Sequence, residues 1–393
     1  MDKVRIAIVG CGGMAGAHLN GYAALRRMGI EDFEIVATCD VAEERAHSFA
    51  ERIEGFQGAR PRVYRELGDL LKSEGIDAVD TCPPHHLHHT IAIECLENGV
   101  DVIVEKPLAV TVRAGRRMIE AAERNGRILA VAEQVRRWVC SRVIWWAFNS
   151  GMLGDPRLIY THSVSFPRIN PLNPVVNSPR PWRADLFTGG GGWVLDVGVH
   201  YIDMLHFIFG DVEEVYAVVD NLNGITYSDG PSTVEDTVHA ILKFENGIVC
   251  NWSWTHGGPG RGFSHSYFYG RLGSIYSPGH YPTRPELRLF DGTAKEPDEL
   301  QKEFWDSLDD ESKERFFPRG ITEGVAIELY DFIRAVRTRA KPEVGGWEGL
   351  KAQAVCDAFF ESSALGVPVK VKDVLECKVE SYQGPINERN GIE

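Results

Sequence analysis

The sequence has no excess of basic charge: 42 Lys and Arg stand against 56 Asp and Glu, a formal net charge of −14 over 393 residues. It therefore offers no positive field for nucleic acid or an anionic membrane surface, and neither is expected as a partner. It lacks any apolar run approaching the roughly 18 residues of a membrane-spanning helix. A strand pattern opens at Val4 and leaves no room ahead of it for a signal peptide, so a soluble, cytoplasmic protein is expected. The eight cysteines (11, 39, 82, 95, 140, 250, 356 and 377) contain no C-x-x-C pair. That spacing argues against a zinc knuckle or a disulfide framework and for reduced, mostly buried thiols.

What is present is a hydrophobic share of 44%, enough for real cores, in a chain long enough for two or three domains. VRIAIVGCGGMA at 4–15 carries an apolar strand, broken only by Arg5, straight into a glycine turn and a helix. Gly10 allows the tight turn, Gly12 admits a pyrophosphate to the backbone, and Ala15 lets the helix pack on its strand. The turn residues Gly10, Gly12, Gly13, Met14 and Ala15 are thus candidate dinucleotide contacts, with the helix start as an anion site. A second strand over 33–39 ends at Asp40, 28 positions beyond Gly12. A carboxylate there accepts hydrogen bonds from a free ribose hydroxyl and repels a 2′-phosphate, which favours NAD over NADP. Two features compete with that reading: Asp40 also suits an N-cap for a helix near Ala42, and Arg45 could accept a phosphate.

Helical patterns follow over 42–53 and 65–73, a short strand near 63–64, and a buried strand over 77–82 ended by Pro83-Pro84. A helix over 86–98, a strand over 100–104 closing on Glu105-Lys106-Pro107, a helix over 111–125 and a strand over 128–132 complete the alternation. The fold class is α/β: residues 1–133 form a doubly wound parallel sheet whose ligand lies beyond the carboxyl ends of its strands. Gly10, Asp40, His85, Lys106 and Gln134 all fall at those ends. From about Pro156 extended runs succeed one another at 158–166, 212–219, 237–244, 248–255, 266–269 and 287–290, so 134–393 is read as an α+β domain with a large, mostly antiparallel sheet. Within it lie a proline-rich loop at 167–182, a glycine run at 189–192 and a helix near 194–210. A charged excursion at 298–315 has no assigned place. Amphipathic helices are expected over 326–339 and 351–365, and a loose tail from Tyr382.

Asp196 and His200 are four residues apart, on one face of a helix, where a His beside a carboxylate suits a general base. Lys106 ends a Rossmann strand, where its ammonium can polarise a hydroxyl or carbonyl oxygen. Trp182 and Arg183, just ahead of that helix, offer an aromatic face and a guanidinium to a ligand. The histidines at 85, 86, 88 and 89 have no carboxylate or thiol at ligand spacing, so no metal is expected. Trp138, Trp145 and Trp146 share a helical face that suits packing.

These residues resemble the Gfo/Idh/MocA oxidoreductases, the family of glucose–fructose oxidoreductase and inositol dehydrogenase. The shared motifs are the glycine turn, CPPHHLH at 82–88, EKP at 105–107, WR at 182–183, GGGWVLDVGVH at 190–200 and GVPVKV at 366–371, in family order over nearly the whole chain. The resemblance implies that Lys106, Asp196 and His200 are catalytic, with His200 as acid/base and Lys106 orienting the reacting hydroxyl. Pro83, His85, His88, Glu105, Lys106 and Gln134 would join the turn and Asp40 around the cofactor, and Trp182 and Arg183 would join the catalytic residues around a sugar or polyol. It further implies a C-terminal sheet that makes homodimers or homotetramers. The chain departs from the family at Pro83-Pro84-His85, where relatives usually read T-P-N, and in extra length at 167–181 and 291–318. Three functions fit: a dehydrogenase oxidising a secondary alcohol of a sugar, glycoside or cyclitol; an enzyme that keeps NAD bound and recycles it in each turnover; and a non-catalytic NAD-responsive regulator. The intact lysine, aspartate and histidine argue against the last.

Overall fold

Strand β1 (Val4–Val9) is buried except for partial exposure of Arg5, as a central strand covered on both faces must be. In the computed structural model, which describes residues 3–72 and 75–393, it lies inside a six-stranded parallel sheet. The other strands are β2 (Phe33–Cys39), β3 (Arg62–Tyr64), β4 (Ala78–Thr81), β5 (Asp101–Glu105) and β6 (Leu129–Ala132). Their spatial order, β3-β2-β1-β4-β5-β6, reverses direction between β1 and β4, the switch point at which such sheets bind dinucleotides. The helix expected over 65–73 is the shorter Leu67–Leu71, with position 73 outside the described residues.

The chain forms two compact units, and the first is not a single stretch: Ile321–Leu350 joins the residues up to Gln134. By compactness the division therefore differs from one drawn between 133 and 134, since 321–350 lies with the first unit. The helix Gly324–Thr338 lies against the helix Gly13–Arg27 at Gly21, where a Cβ would come within 2.8 Å of Leu329 Cδ1. The carbonyl of Val344 then accepts the N–H of Val131 at 3.0 Å, tying the returning segment to β6.

The second unit, Val135–Gly320 with Lys351–Glu393, holds β7 (Pro156–Val164), β8 (Val175–Val176), β9 (Val212–Asp220), β10 (Thr226–Tyr227), β11 (Gly230–Pro231), β12 (Thr237–Phe244), β13 (Val249–Thr255), β14 (Phe263–Gly270), β15 (Gly273–Pro278), β16 (Glu286–Leu289), β17 (Ala294–Lys295) and β18 (Val369–Lys370). Nine of them form one sheet in the order β17-β16-β15-β14-β7-β13-β12-β9-β18, antiparallel except where β7 pairs with β13, while β8, β10 and β11 make a small separate sheet. Period-two burial defines an inner face: Val238, Ala240, Leu242 and Phe244 from β12, and Cys250, Trp252 and Trp254 from β13. Against Trp252 pack Tyr201 from the helix Val199–Phe209 and Phe359 from the helix Gly346–Leu365, at ring separations of 5.1 and 5.5 Å. The charged excursion becomes two helices, Pro297–Ser307 and Asp310–Phe316, whose Phe304 and Phe316 meet Trp146 and Trp145. Two of the three tryptophans on that helical face therefore serve as packing. The tail is not loose: Gln383–Arg389 is a helix with Gln383, Ile386 and Asn387 buried. No described helix is long and apolar enough to cross a membrane.

The first unit carries a buried ionic cluster. His18, fully buried, places Nδ1 2.9 Å from both carboxylate oxygens of Asp80 at β4 and Nε2 3.0 Å from Glu105 Oε1 at the end of β5. Tyr22 donates its hydroxyl to Asp80 at 3.1 Å. Burial disfavours a proton on His18, yet the charge of Asp80 and its hydrogen bond outweigh it and hold the imidazole well above its usual 6.5. A base with a raised folded pKa contributes stability that is whole below about 6.5 and is lost as pH rises through the folded value. His18→Gln should therefore lower unfolding stability by about 3–5 kcal/mol near pH 6, the usual effect of breaking a buried pair. The gap from wild type in urea unfolding should narrow as pH rises into the alkaline range, and a gap independent of pH would refute a charged His18.

Candidate active site

The glycine turn takes the shape its composition requires. Gly10 has φ +84°, and a Cβ on it would lie 3.0 Å from the Cys82 carbonyl carbon and the Pro83 nitrogen, so both conformation and space exclude a side chain. Gly12 is the N-cap of the helix Gly13–Arg27, and a Cβ on Gly12 or Gly13 would meet nothing within 4 Å. No cap side chain bonds to that helix start and no acidic residue occupies its first turn, so its N–H groups and dipole remain directed at an anion. Ala15 is fully buried in the helix–sheet contact. These features fit a dinucleotide pyrophosphate.

Asp40 is not the N-cap of the next helix, a place taken by Ala42 with no side-chain cap bond, and its two oxygens accept backbone N–H groups instead. Its Oδ1 accepts the N–H of Ala42 at 2.8 Å, the local turn at the start of the next helix, while Oδ2 accepts the N–H of Cys11 at 2.8 Å inside the glycine turn. Each oxygen keeps a further lone pair for a ribose hydroxyl.

Of the other expected cofactor residues, His85 is buried beside His88, with ring centroids 5.5 Å apart. His88 sits between the carbonyls of Pro83 and Pro107, at 3.1 and 2.9 Å, and burial pushes its pKa down. A neutral ring carries one N–H and so donates to one of these two carbonyls. The Glu105 carboxylate turns inward to His18, and Lys106, 8% exposed, follows it at the strand end. Gln134 is half-buried just past β6. Among the described residues of this unit, the side chains that converge closely enough to hold a metal ion are His18, Asp80 and Cys82, with ligand atoms within 4.8 Å of one another, rather than the histidines of 85–89. His18 is committed there to its carboxylates, and burial pushes the Cys82 thiol up.

In the second unit the proline-rich loop ends in the turn Trp182–Ala184. Arg183 lies over the Trp182 ring at 4.1 Å and its Nε donates to Asp196 Oδ2 at 3.0 Å. The expected α-helix over 194–210 is in fact a π-helical turn, Val194–Gly198, continued by the α-helix Val199–Phe209. Such wide turns recur at functional sites. Asp196 thus lies in the wide turn and His200, 5% exposed, in the α-helix beyond it. Three residues that the sequence reading did not single out surround this segment. Tyr281 donates its hydroxyl to the Val197 carbonyl at 2.8 Å and sets its ring edge-on to His200 at 5.9 Å; Glu235 and Tyr382 hold the glycine run. Their contacts span 41 to 192 positions along the chain, and no local pattern marks them.

Comparison with known proteins bears on both units. A family model described as oxidoreductase family, NAD-binding Rossmann fold, matches residues 4–133, and one described as oxidoreductase family, C-terminal alpha/beta domain, matches 147–371. The chain is 26% identical over 378 residues to the D-apiose dehydrogenase of Paraburkholderia graminis, covering 95% of this chain and 91% of that protein. It is 25% identical over 394 residues to the levoglucosan dehydrogenase of Pseudarthrobacter phenanthrenivorans, covering 93% and 97% respectively. A solved levoglucosan dehydrogenase in complex with NADH and L-sorbose shares the fold, with a TM-score of 0.78 at 24% identity over 94% of this chain and 99% of that one.

Asp40 generates a test of cofactor choice. Its carboxylate should make NAD bind more tightly than NADP, and Asp40→Ala should weaken NAD by about 1.5–3 kcal/mol, roughly ten- to a hundredfold. Fluorescence titration with both dinucleotides measures this; equal affinities in wild type, or an unchanged NAD affinity in Asp40→Ala, would contradict the role.

Proposed function

Because the chain belongs to the Gfo/Idh/MocA oxidoreductase family, we propose that it oxidises a secondary alcohol of a sugar, glycoside or cyclitol with NAD. The observation that carries this reading is the helix start in which Arg183 pairs with Asp196 and His200 follows in a nearly buried setting. The range of substrates is supported by relatives named for oxidising D-apiose, levoglucosan and myo-inositol.

Bound NAD supplies the hydride acceptor at its nicotinamide. His200 takes the hydroxyl proton as the carbonyl forms, because imidazole is the side chain most often used as a general base. Lys106 donates to the reacting oxygen and favours its developing negative charge. Asp196 keeps a carboxylate near the base while Arg183 fixes its orientation, and Trp182 with Arg183 offers the stacking face and donors that polyol hydroxyls use. Glu105, His88, Pro83, His85 and Gln134 shape the strand ends that face the cofactor.

Mixing the enzyme with NAD and a panel of polyols that includes levoglucosan, myo-inositol and D-apiose should raise absorbance at the reduced-nicotinamide band. Product without net NADH would mean that the cofactor is recycled, and binding without turnover would mean a regulator. His200→Asn should lower turnover about 10²–10⁴-fold while leaving NAD affinity nearly unchanged. Lys106→Ala should lower turnover and substrate affinity together. Should the deprotonation limb of the pH profile vanish in Lys106→Ala and survive in His200→Asn, the two roles are reversed.

The same reading includes a homo-oligomer through the outer face of the large sheet. Strand register sets Tyr267, Tyr160, Asn251, Ile241 and Tyr216 side by side across five strands. Tyr160, Ile241 and Tyr216 are each about 40% exposed, and Val218 is 54% exposed, an apolar area that association would cover. Light scattering at micromolar concentration should give a dimeric or tetrameric mass, reduced in Ile241→Glu. A monomeric wild type would remove this part of the proposal.

A further inference from the structure

The glycine run ahead of Asp196 and His200 is held by residues from distant parts of the second unit. Glu235, in the loop before β12, is buried; its Oε2 accepts the N–H of Gly192 at 2.6 Å and its Oε1 accepts the N–H of Val194 at 2.8 Å. These are donors that a helix start leaves without an intrahelical acceptor. A Cβ on Gly192 would lie 2.3 Å from the Glu235 carbonyl oxygen, and one on Gly191 would lie 2.7 Å from the Phe360 ring. Tyr382 stacks on Phe360 at 4.5 Å and donates its hydroxyl to the Gly190 carbonyl at 3.1 Å. The segment entering the π turn is therefore gripped on its N–H side by a carboxylate and on its carbonyl side by a phenol.

We propose that Glu235 is a positioning residue of the reaction, acting through Gly192 and Val194 to set the helix start that carries Asp196 and His200. The inference rests on the reading of His200 as the acid/base group. It also makes the grip dependent on pH. Burial drives the Glu235 carboxyl up, the two N–H groups pull it down, and the charge of Asp236 adds to the rise, for a pKa of about 7. The charge of Glu235 also acts on Tyr382, as do those of Asp357 and Glu361 of the helix Gly346–Leu365. Above about 7 both oxygens of Glu235 accept; below it a proton occupies one of them and an N–H loses its partner. Global stability runs the other way. An acid whose folded pKa exceeds its unfolded 4.5 contributes most at low pH, and that contribution is lost as pH rises through about 7. Loosening of this segment at low pH would therefore be local.

Hydrogen exchange of the peptide spanning 186–200, corrected for the intrinsic rate, tests this without a substrate. Wild-type protection should fall several-fold between pH 8 and pH 6, and in Glu235→Gln it should be low at both. The wild-type measurement stands even if the variant folds poorly, and protection that is flat with pH overturns the proposal. With the polyol that turns over, Glu235→Gln should lower kcat roughly ten- to a hundredfold, as a misplaced catalytic group does, and leave NAD affinity within about twofold. If His200→Asn is inactive while Glu235→Gln behaves as wild type in both readouts, the positioning role is wrong and the catalytic reading stands. If His200→Asn retains full turnover, the catalytic reading fails first and the positioning role falls with it.

Discussion

A helix start exposes backbone N–H groups that need acceptors, and two helix starts of this chain meet that need in opposite ways. At Gly13 the helix begins behind Gly12, with no capping side chain and no acid in its first turn, so its donors suit a ligand's phosphates. At Gly192 and Val194 the donors are taken internally by Glu235, and the segment is fixed in place. One start leaves its donors open to an anion. The other has them satisfied by a buried carboxylate, which fixes the backbone leading to Asp196 and His200.

The strand ends of the first unit are braced from beneath by His18. An imidazole between Asp80 and Glu105 joins the phosphate-binding helix to β4 and β5, the strands that lead to Pro83 and to Lys106. Burying such charges is expensive, and a well-packed apolar cluster would serve stability as well or better. Its geometric specificity is the gain: directional bonds hold two strand ends at a set distance from one helix. His88 sits between the carbonyls of Pro83 and Pro107, one layer nearer the loops, and donates to one of them.

Much of this was legible in local pattern. The apolar strand entering a glycine turn, the strand–helix alternation, the acid at Asp40 and the later period-two runs each reflect contacts within a few residues, and each element appears about where its pattern lies. Of the residues named for the site, Arg183 does pair with Asp196, four positions ahead of His200. The π turn was not readable, since Val194 to Gly198 has the composition of an ordinary helix, and the Tyr281 hydroxyl that bonds to its Val197 carbonyl comes from 84 positions away.

Sequence by itself determined the elements, their order and the chemistry available at the strand ends, because hydrophobic period, glycine conformation and side-chain type act over short separations. Tertiary structure alone decided where late segments go. Ile321–Leu350 returns to the first unit because Gly21 leaves room for Leu329 and Val344 can bond to Val131, facts of shape at a separation no pattern encodes. The polar C-terminal segment becomes ordered because Phe360 and Gly190 offer Tyr382 a ring to stack on and a carbonyl to bond. No local pattern marks Glu235, and only the fold buries it against the N–H groups of Gly192 and Val194.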